Sequence, residues 1–192
     1  MPAATPAKAT HSGTRRANER LVLRTVYEAG RISRADTARA TGLTRTTVSD
    51  LVDGLLADGL VAEVGTGPST GGKAPIMLQV PADARYLVGV DVDRDRIRGA
   101  IVDLRGEVQG RAQRDLRGHD GGEALLALES LAASLVAQAE RPLLGIGIGT
   151  PGLIDTAAGI VRWAVGLDWR DEPVGERPVA RAVSARLMRP DC

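Results

Sequence analysis

Residues 31–58 read RISRADTARATGLTRTTVSDLVDGLLAD, and the spacing of hydroxyls, glycine and apolar side chains in this stretch decides what it folds into. Ser33 stands three residues before Asp36, the spacing at which a hydroxyl caps a helix N-terminus while the carboxylate returns to the cap's own N–H. This predicts a short helix over Arg34–Thr41. Gly42 can take the left-handed conformation that stops that helix, Leu43 can pack beneath the turn, and Thr44 can cap the next helix. The next helix carries Val48, Leu51, Val52, Leu55 and Leu56, a single apolar stripe at i, i+3, i+4, i+7 and i+8. Its other face starts with Arg45, Thr46, Thr47 and Ser49. Upstream, Leu21, Val22, Thr25, Val26 and Ala29 recur on one face of a helix over Asn18–Ala29, which Gly30 ends.

Two helices joined by a short glycine-containing turn, with small Ala38 where they touch and a polar start to the second, form a helix-turn-helix. The competing reading is a three-helix packing unit with a solvated basic face. Leu60–Val64 then reads as a strand, Gly65–Gly72 as a turn-rich tip, and Ile76–Val80 as the returning strand, with Lys73 and Pro75 at its start. That hairpin is a wing; a plain linker at 65–72 is the alternative, but it would not need Lys73 and a strand on each side. A helix of this kind fits the DNA major groove, where its first turn can offer Arg45 to guanine acceptors and hydroxyls to base edges or phosphates. The candidate contacts to double-stranded DNA are therefore Ser33, Thr44, Arg45, Thr46, Thr47 and Ser49, with Arg15, Arg16, Asn18, Arg34 and Lys73 as phosphate contacts.

Charge points the same way. The 192-residue chain has 25 Lys and Arg against 24 Asp and Glu. Residues 1–49 nevertheless carry an excess of six positive charges, and residues 81–192 an excess of two negative ones. One end is built to meet a polyanion and the other is not. The single cysteine, Cys192, cannot close an intramolecular disulfide or supply a thiolate cluster, so the chain reads as cytoplasmic. No stretch approaches the roughly 18 apolar residues of a membrane helix, and residues 1–13 read as a flexible tail without a signal-peptide core.

From Tyr86 the pattern changes. Leu87–Val92, Ile97–Leu104 and Val108–Asp115 read as three meandering strands, Gly122–Ala139 as a helix with Leu125, Leu128, Ala132, Leu135, Val136 and Ala139 on one side, and Leu144–Gly149 as a buried strand. Hairpins, a helix and a further strand suggest half of a mixed sheet covered by helices. Any part of the helix stripe left uncovered would favour self-association.

These residues carry a family resemblance. The run Asn18-Glu-Arg-Leu-Val-Leu, the segment Gly42-Leu-Thr-Arg-Thr-Thr-Val-Ser49, Gly71-Gly-Lys-Ala-Pro75, Val88-Gly-Val-Asp-Val-Asp93 and Gly145-Ile-Gly-Ile-Gly-Thr-Pro-Gly-Leu-Ile-Asp155 resemble the ROK family of repressors and sugar kinases. The N-terminal winged helix places the likeness in the repressor branch. It implies an α+β chain: a tail at 1–13, a winged helix-turn-helix at 14–80, and a partial actin-like (ribonuclease H-like) mixed α/β lobe at 84–192. The implied activity is that of a DNA-binding repressor of carbohydrate genes, working as a homodimer or larger oligomer, not an enzyme.

Two departures from the family pattern matter. Kinase members have a glycine-rich Asp-x-Gly-Gly-Thr hairpin that closes on ATP phosphates; here Asp91 is kept but Asp93, Arg94 and Asp95 fill the glycine positions, where carboxylates repel phosphate. The sequence also stops at Cys192, about where a full member's Glu-Asn-Asp-Ala-Asn stretch would begin, as in a fragment or a truncated regulator. The family's sugar and zinc sites carry over to no position here, and a sugar effector is expected only with a complete lobe. A kinase relative and a weakly binding remnant are the alternatives.

Other signals are weaker. Gly147–Gly152 satisfies Gly-x-Gly-x-x-Gly, but Pro151 and Leu153-Ile-Asp lead to a turn at Ala158-Gly159 and a strand-like Ile160–Trp163 instead of a long helix, so no dinucleotide cofactor is expected. His11 and His119 have no second ligand at metal spacing. Ser33, Ser49 and Ser184 have no accompanying base and acid to make a nucleophile. Trp163 and Trp169 are expected in the core.

Overall fold

The computed structural model describes residues 11–68, 74–118 and 121–177. Lys73, His119, Ser184 and Cys192 lie outside the described residues, as do the tail up to residue 10 and the wing tip at 69–73. The chain divides between Pro81 and Ala82 into two units.

The first unit is three helices and a small sheet. Helix α1 spans His11–Ala29, α2 Arg34–Thr41 and α3 Arg45–Ala57. The α1 helix starts seven residues before its expected start, so 11–13 are helical and not tail. That first stretch shows no apolar stripe because residues 13–17 stand in solvent. Farther along α1, Val22 and Val26 are fully buried while Leu21 and Ala29, expected on the same stripe, are exposed. The α2 helix has its expected bounds, and its caps explain them. Ser33 Oγ accepts from the Asp36 N–H at 3.1 Å and donates to the Asp36 carboxylate at 2.6 Å. Gly42 ends the helix at φ 71°, in the left-handed region where only glycine is unstrained, with its N–H on the Ala38 carbonyl. The α3 helix buries Val48, Leu51, Val52 and Leu55 of the predicted stripe, while Leu56, its fifth member, is half-buried.

The sheet of this unit has the order β1-β3-β2, with β1 at Ile32–Ser33, β2 at Ala62–Thr66 and β3 at Ile76–Gln79. Strands β2 and β3 are the expected hairpin, with β2 starting and ending two residues later than its sequence pattern suggested. The two-residue β1 was not foreseen: it pairs Ile32 with Leu78 and Ser33 with Met77, and a strand that short leaves no alternation to read.

In the second unit, β4 (Tyr86–Val92), β5 (Arg96–Asp103) and β6 (Val108–Asp115) form the predicted meander, and α4 (Gly121–Gln138) crosses to β7 (Leu143–Gly149), which runs parallel to β4. The sheet order is β6-β5-β4-β7. Along β4 the residues alternate strictly: Tyr86, Val88, Val90 and Val92 are buried with Leu128, Leu131 and Leu135 of α4 in one core, whereas Leu87, Gly89 and Asp91 are exposed. A small antiparallel sheet of β8 (Leu153–Asp155), β9 (Ile160–Ala164) and β10 (Trp169–Glu172) follows. Trp169 is buried as expected, and its indole N–H donates to the Gly121 carbonyl at the start of α4, at 2.9 Å. Trp163 is not in the core: it is 56% exposed, on β9 opposite Leu153, which is 67% exposed. The Gly147–Gly152 segment is a strand and a tight turn, not a phosphate-binding loop before a helix; a Cβ at Gly152 would stand 2.1 Å from the Trp163 carbonyl.

Candidate nucleic-acid interface

The first turn of α3 is built for exposure. Thr44, in extended conformation, accepts from the Thr47 N–H at 3.2 Å, and the Thr44 and Thr47 hydroxyls lie 2.8 Å apart. The two hydroxyls therefore have a capping duty before any other. Arg45 and Thr46, directly after the cap, are exposed and make no side-chain bond among the described residues. A free guanidinium beside a free hydroxyl on a helix N-terminus is a donor set suited to base edges and phosphate oxygens. Ser49, one turn on, is half-buried.

Other predicted contacts are placed differently. Ser33 is buried, and its hydroxyl is committed to Asp36; it holds α2 and is withdrawn from any ligand. That carboxylate is held below the ordinary range by the Ser33 hydroxyl first; burial opposes this as the next largest effect, and Arg39 and the Ser33 N–H add to the lowering. Arg34, expected on a phosphate, is engaged with groups of the protein. Its Nη1 lies 2.7 Å from Asp53 Oδ1 on α3 and donates to the Ser49 carbonyl at 3.4 Å, and its Nη2 lies 3.2 Å from Glu63 Oε1 on β2. Burial opposes the charge of this guanidinium, and the bonds to Asp53 and Glu63 outweigh that and raise its pKa. Arg15 and Arg16 stand exposed on the first half of α1, with Asn18 half-buried below them.

Three residues escaped the sequence reading. Arg31 donates to the Val64 carbonyl at 2.5 Å and so braces the wing root. Asp50 and Asp53 continue the exposed face of α3 beyond Ser49. The complement of the buried stripe, carried two turns farther, would have found both. Asp53 is neutralised by Arg34; Asp50 has no partner among the described residues, and a free carboxylate there is an acceptor suited to a cytosine amino group.

On the second unit, Asp91 lies on the uncovered sheet face, 3.0 Å from Arg98 Nη2. The hairpin beyond it closes through the Asp93 N–H on the Arg96 carbonyl, with Asp93, Arg94 and Asp95 all exposed.

Three helices, a capped third helix with a free basic first turn, and a strand pair behind it define a winged helix-turn-helix head on a chain that continues into a mixed α/β lobe. Residues 15–62 match the model of the winged helix-turn-helix DNA-binding family. The chain is 34% identical over 168 residues to the xylose repressor of Caldicellulosiruptor bescii, covering 85% of this chain and 42% of that protein. It is 35% identical over 160 residues to the xylose repressor of Bacillus subtilis, covering 82% and 41%. Its fold is similar to that of a ROK family transcriptional regulator, a homologue of the E. coli MLC protein, with a TM-score of 0.70 at 21% identity over 90% of this chain and 44% of that one. The chain thus spans about two-fifths of the length of the curated relatives it matches. Over that portion it is similar in sequence to xylose repressors and in fold to a ROK family regulator.

Proposed function

We propose that this chain is a sequence-specific DNA-binding repressor of carbohydrate genes, reading the major groove with α3. The observation that carries the proposal is the first turn of α3, where Arg45 and Thr46 are exposed and unengaged behind a cap that fixes their backbone. Arg45 and Thr46 contact bases, Thr44 and Thr47 add hydroxyl contacts within what their mutual bond allows, and Ser49 and Asp50 extend the readout. Arg15, Arg16, Asn18 and Lys73 serve the backbone. The relatives' name makes genes of xylose use the first candidates for the target, and a pair of heads on a palindrome, in a homodimer, is the expected binding form.

Phosphoryl transfer is not proposed. Asp91 is held by Arg98, and carboxylates occupy the tip where a phosphate would have to approach. No sugar-binding role is assigned to any described residue. The test is titration of the whole chain against DNA from upstream of its own gene and its neighbours, at two salt concentrations, beside Arg45→Ala. Saturable binding to one fragment, weakened about 5- to 150-fold by Arg45→Ala with relaxed sequence preference, is the expected result. Equal, steeply salt-dependent binding to every fragment, unchanged in the variant, would refute it.

A further inference from the structure

Two acidic groups on the DNA-reading side of the head, Asp53 and Glu63, pose a problem that the fold answers. A carboxylate on the exposed face of α3 and another on the wing strand would both repel a phosphate backbone if left bare. One arginine meets both. Arg34 is the first residue of α2, and its backbone is fixed on the N-terminal side by Ser33, which pairs with Met77 of β3 and caps the helix. From there its guanidinium joins Asp53 and the Ser49 carbonyl of α3 to Glu63 of β2. Glu63 faces Leu78 of β3, which in turn faces Ile32 of β1. The side chain therefore reaches across the width of the wing sheet while holding the middle of α3.

We infer that Arg34 is a positioning residue, a clamp that sets the wing against the recognition helix through Asp53 and Glu63, and that it does not itself contact DNA. The inference rests on the proposed DNA-binding function and deepens it. A guanidinium is suited to the task because its planar fork has two separated nitrogens, Nη1 for Asp53 and the Ser49 carbonyl and Nη2 for Glu63, where a lysine has one. The wing then meets the DNA backbone at a distance from α3 that the clamp dictates, and the two elements contribute together only while it holds.

The sign of one substitution separates this from a charge effect. Glu63→Gln removes a negative charge from the DNA side, so electrostatics alone predicts tighter binding. The clamp predicts the reverse: affinity for the specific fragment falls roughly three- to tenfold, the range that a partly exposed ion-pair network of this size commands. Arg34→Met should weaken binding by a similar factor while the dependence of log affinity on log salt keeps its slope, whereas loss of a phosphate contact lowers that slope by about one. A third readout needs no DNA: hydrogen exchange at the Val64 and Leu78 amides should quicken in both variants. Tighter binding by Glu63→Gln, a slope reduced by one in Arg34→Met, or unchanged exchange in the wing would each overturn the clamp. If the wild-type chain selects no fragment, the repressor reading fails on that result alone, and the exchange measurement still decides whether Arg34 holds the wing to α3.

Discussion

The two units bury their apolar residues in different ways. In the head, three helices and a three-stranded sheet close around Val22, Val26, Val48, Val52, Leu55 and Leu78, all without exposed surface. In the second unit, α4 covers one face of the four-stranded sheet, and among the described residues the other face lies open. Leu87, Gly89 and Asp91 of β4 stand there beside their partners Val102, Ala100 and Arg98 of β5 and the glycines of β7. That face is small-residued more than greasy, which is how a sheet can stay uncovered on one side without a large apolar patch. The contrast teaches where function and stability separate: the head has a closed core and, at the start of α3, the unengaged Arg45 and Thr46, whereas the second unit has its core on one side and engaged charges, such as Asp91 with Arg98, on the other.

Truncations in the two cores test that contrast most strongly. Leu55→Ala in α3 and Leu131→Ala in α4 both remove a fully buried leucine, each at a cost of about 2–5 kcal/mol depending on how far the site collapses. The chain has two tryptophans, Trp163 and Trp169, both in the second unit, so tryptophan emission during denaturation should follow Leu131→Ala. Loss of DNA binding should follow Leu55→Ala. Equal tryptophan-monitored shifts for both variants would break the description of two separately closed cores.

A smaller effect is expected where α4 meets the sheet. A Cβ at Gly99 would lie 2.4 Å from Leu135 Cδ1 and 2.8 Å from Leu131 Cδ2. Both leucines are fully buried and the Gly89 carbonyl stands 3.3 Å away, so Gly99→Ala forces repacking at a cost of about 1–3 kcal/mol, read again by tryptophan emission. A cost below that range would mean that α4 rides more loosely on its sheet than the helices of the head pack on theirs.

Smaller still is the cap of α3. Thr44→Ala removes the acceptor for the Thr47 N–H and should cost about 1 kcal/mol of head stability. It also frees the Thr47 hydroxyl, so affinity for DNA should fall by more than the loss of stability alone explains only if Thr44 touches the DNA as well. Denaturation and binding of the same variant separate the two roles.

Much of the head could be read from residues 31–58, because caps, the stop glycine and the apolar stripe of α3 are local features that agree with one another. The same locality left the side-chain partners of two residues out of view. Ser33 and Arg34 look like surface polar residues at a helix start, yet one is buried in its own cap and the other is engaged by Asp53 and Glu63, which lie 19 and 29 residues away. No spacing rule reveals a pairing of that range. The early start of α1 was hidden for the opposite reason: residues 13–17 touch no core, so they carry no pattern. In the second unit the strand pattern placed the meander and the apolar stripe placed α4, but Trp163 was expected inside, and its exposure on β9 shows that it faces outward.

The least of the expected effects depends on pH and compares one carboxylate in each unit. Asp36 is held below the ordinary carboxylate range by the Ser33 hydroxyl and then by Arg39; Asp155 is held low by the Ala158 N–H first and then by Arg162. A carboxylate whose folded pKa is depressed binds its proton more readily in the unfolded chain. Its stabilising contribution is therefore fully present above the ordinary range, near pH 4, and is lost as the pH falls through the lower, folded value. Both groups are largely solvated, so each contribution is small. Denaturation of the wild-type chain and of Asp36→Asn between about pH 7 and pH 3 should show curves of the same shape at the upper end. Below about pH 4 the wild-type head should lose stability faster than the variant, which has no proton to take up at that position. The tryptophan-reported second unit, which keeps Asp155, should decline alike in both proteins. Parallel decline of the two heads would mean that the Ser33–Asp36 bond does not distinguish the charged from the neutral carboxyl, and the cap of α2 would then rest on the Asp36 N–H and the Ser33 hydroxyl alone.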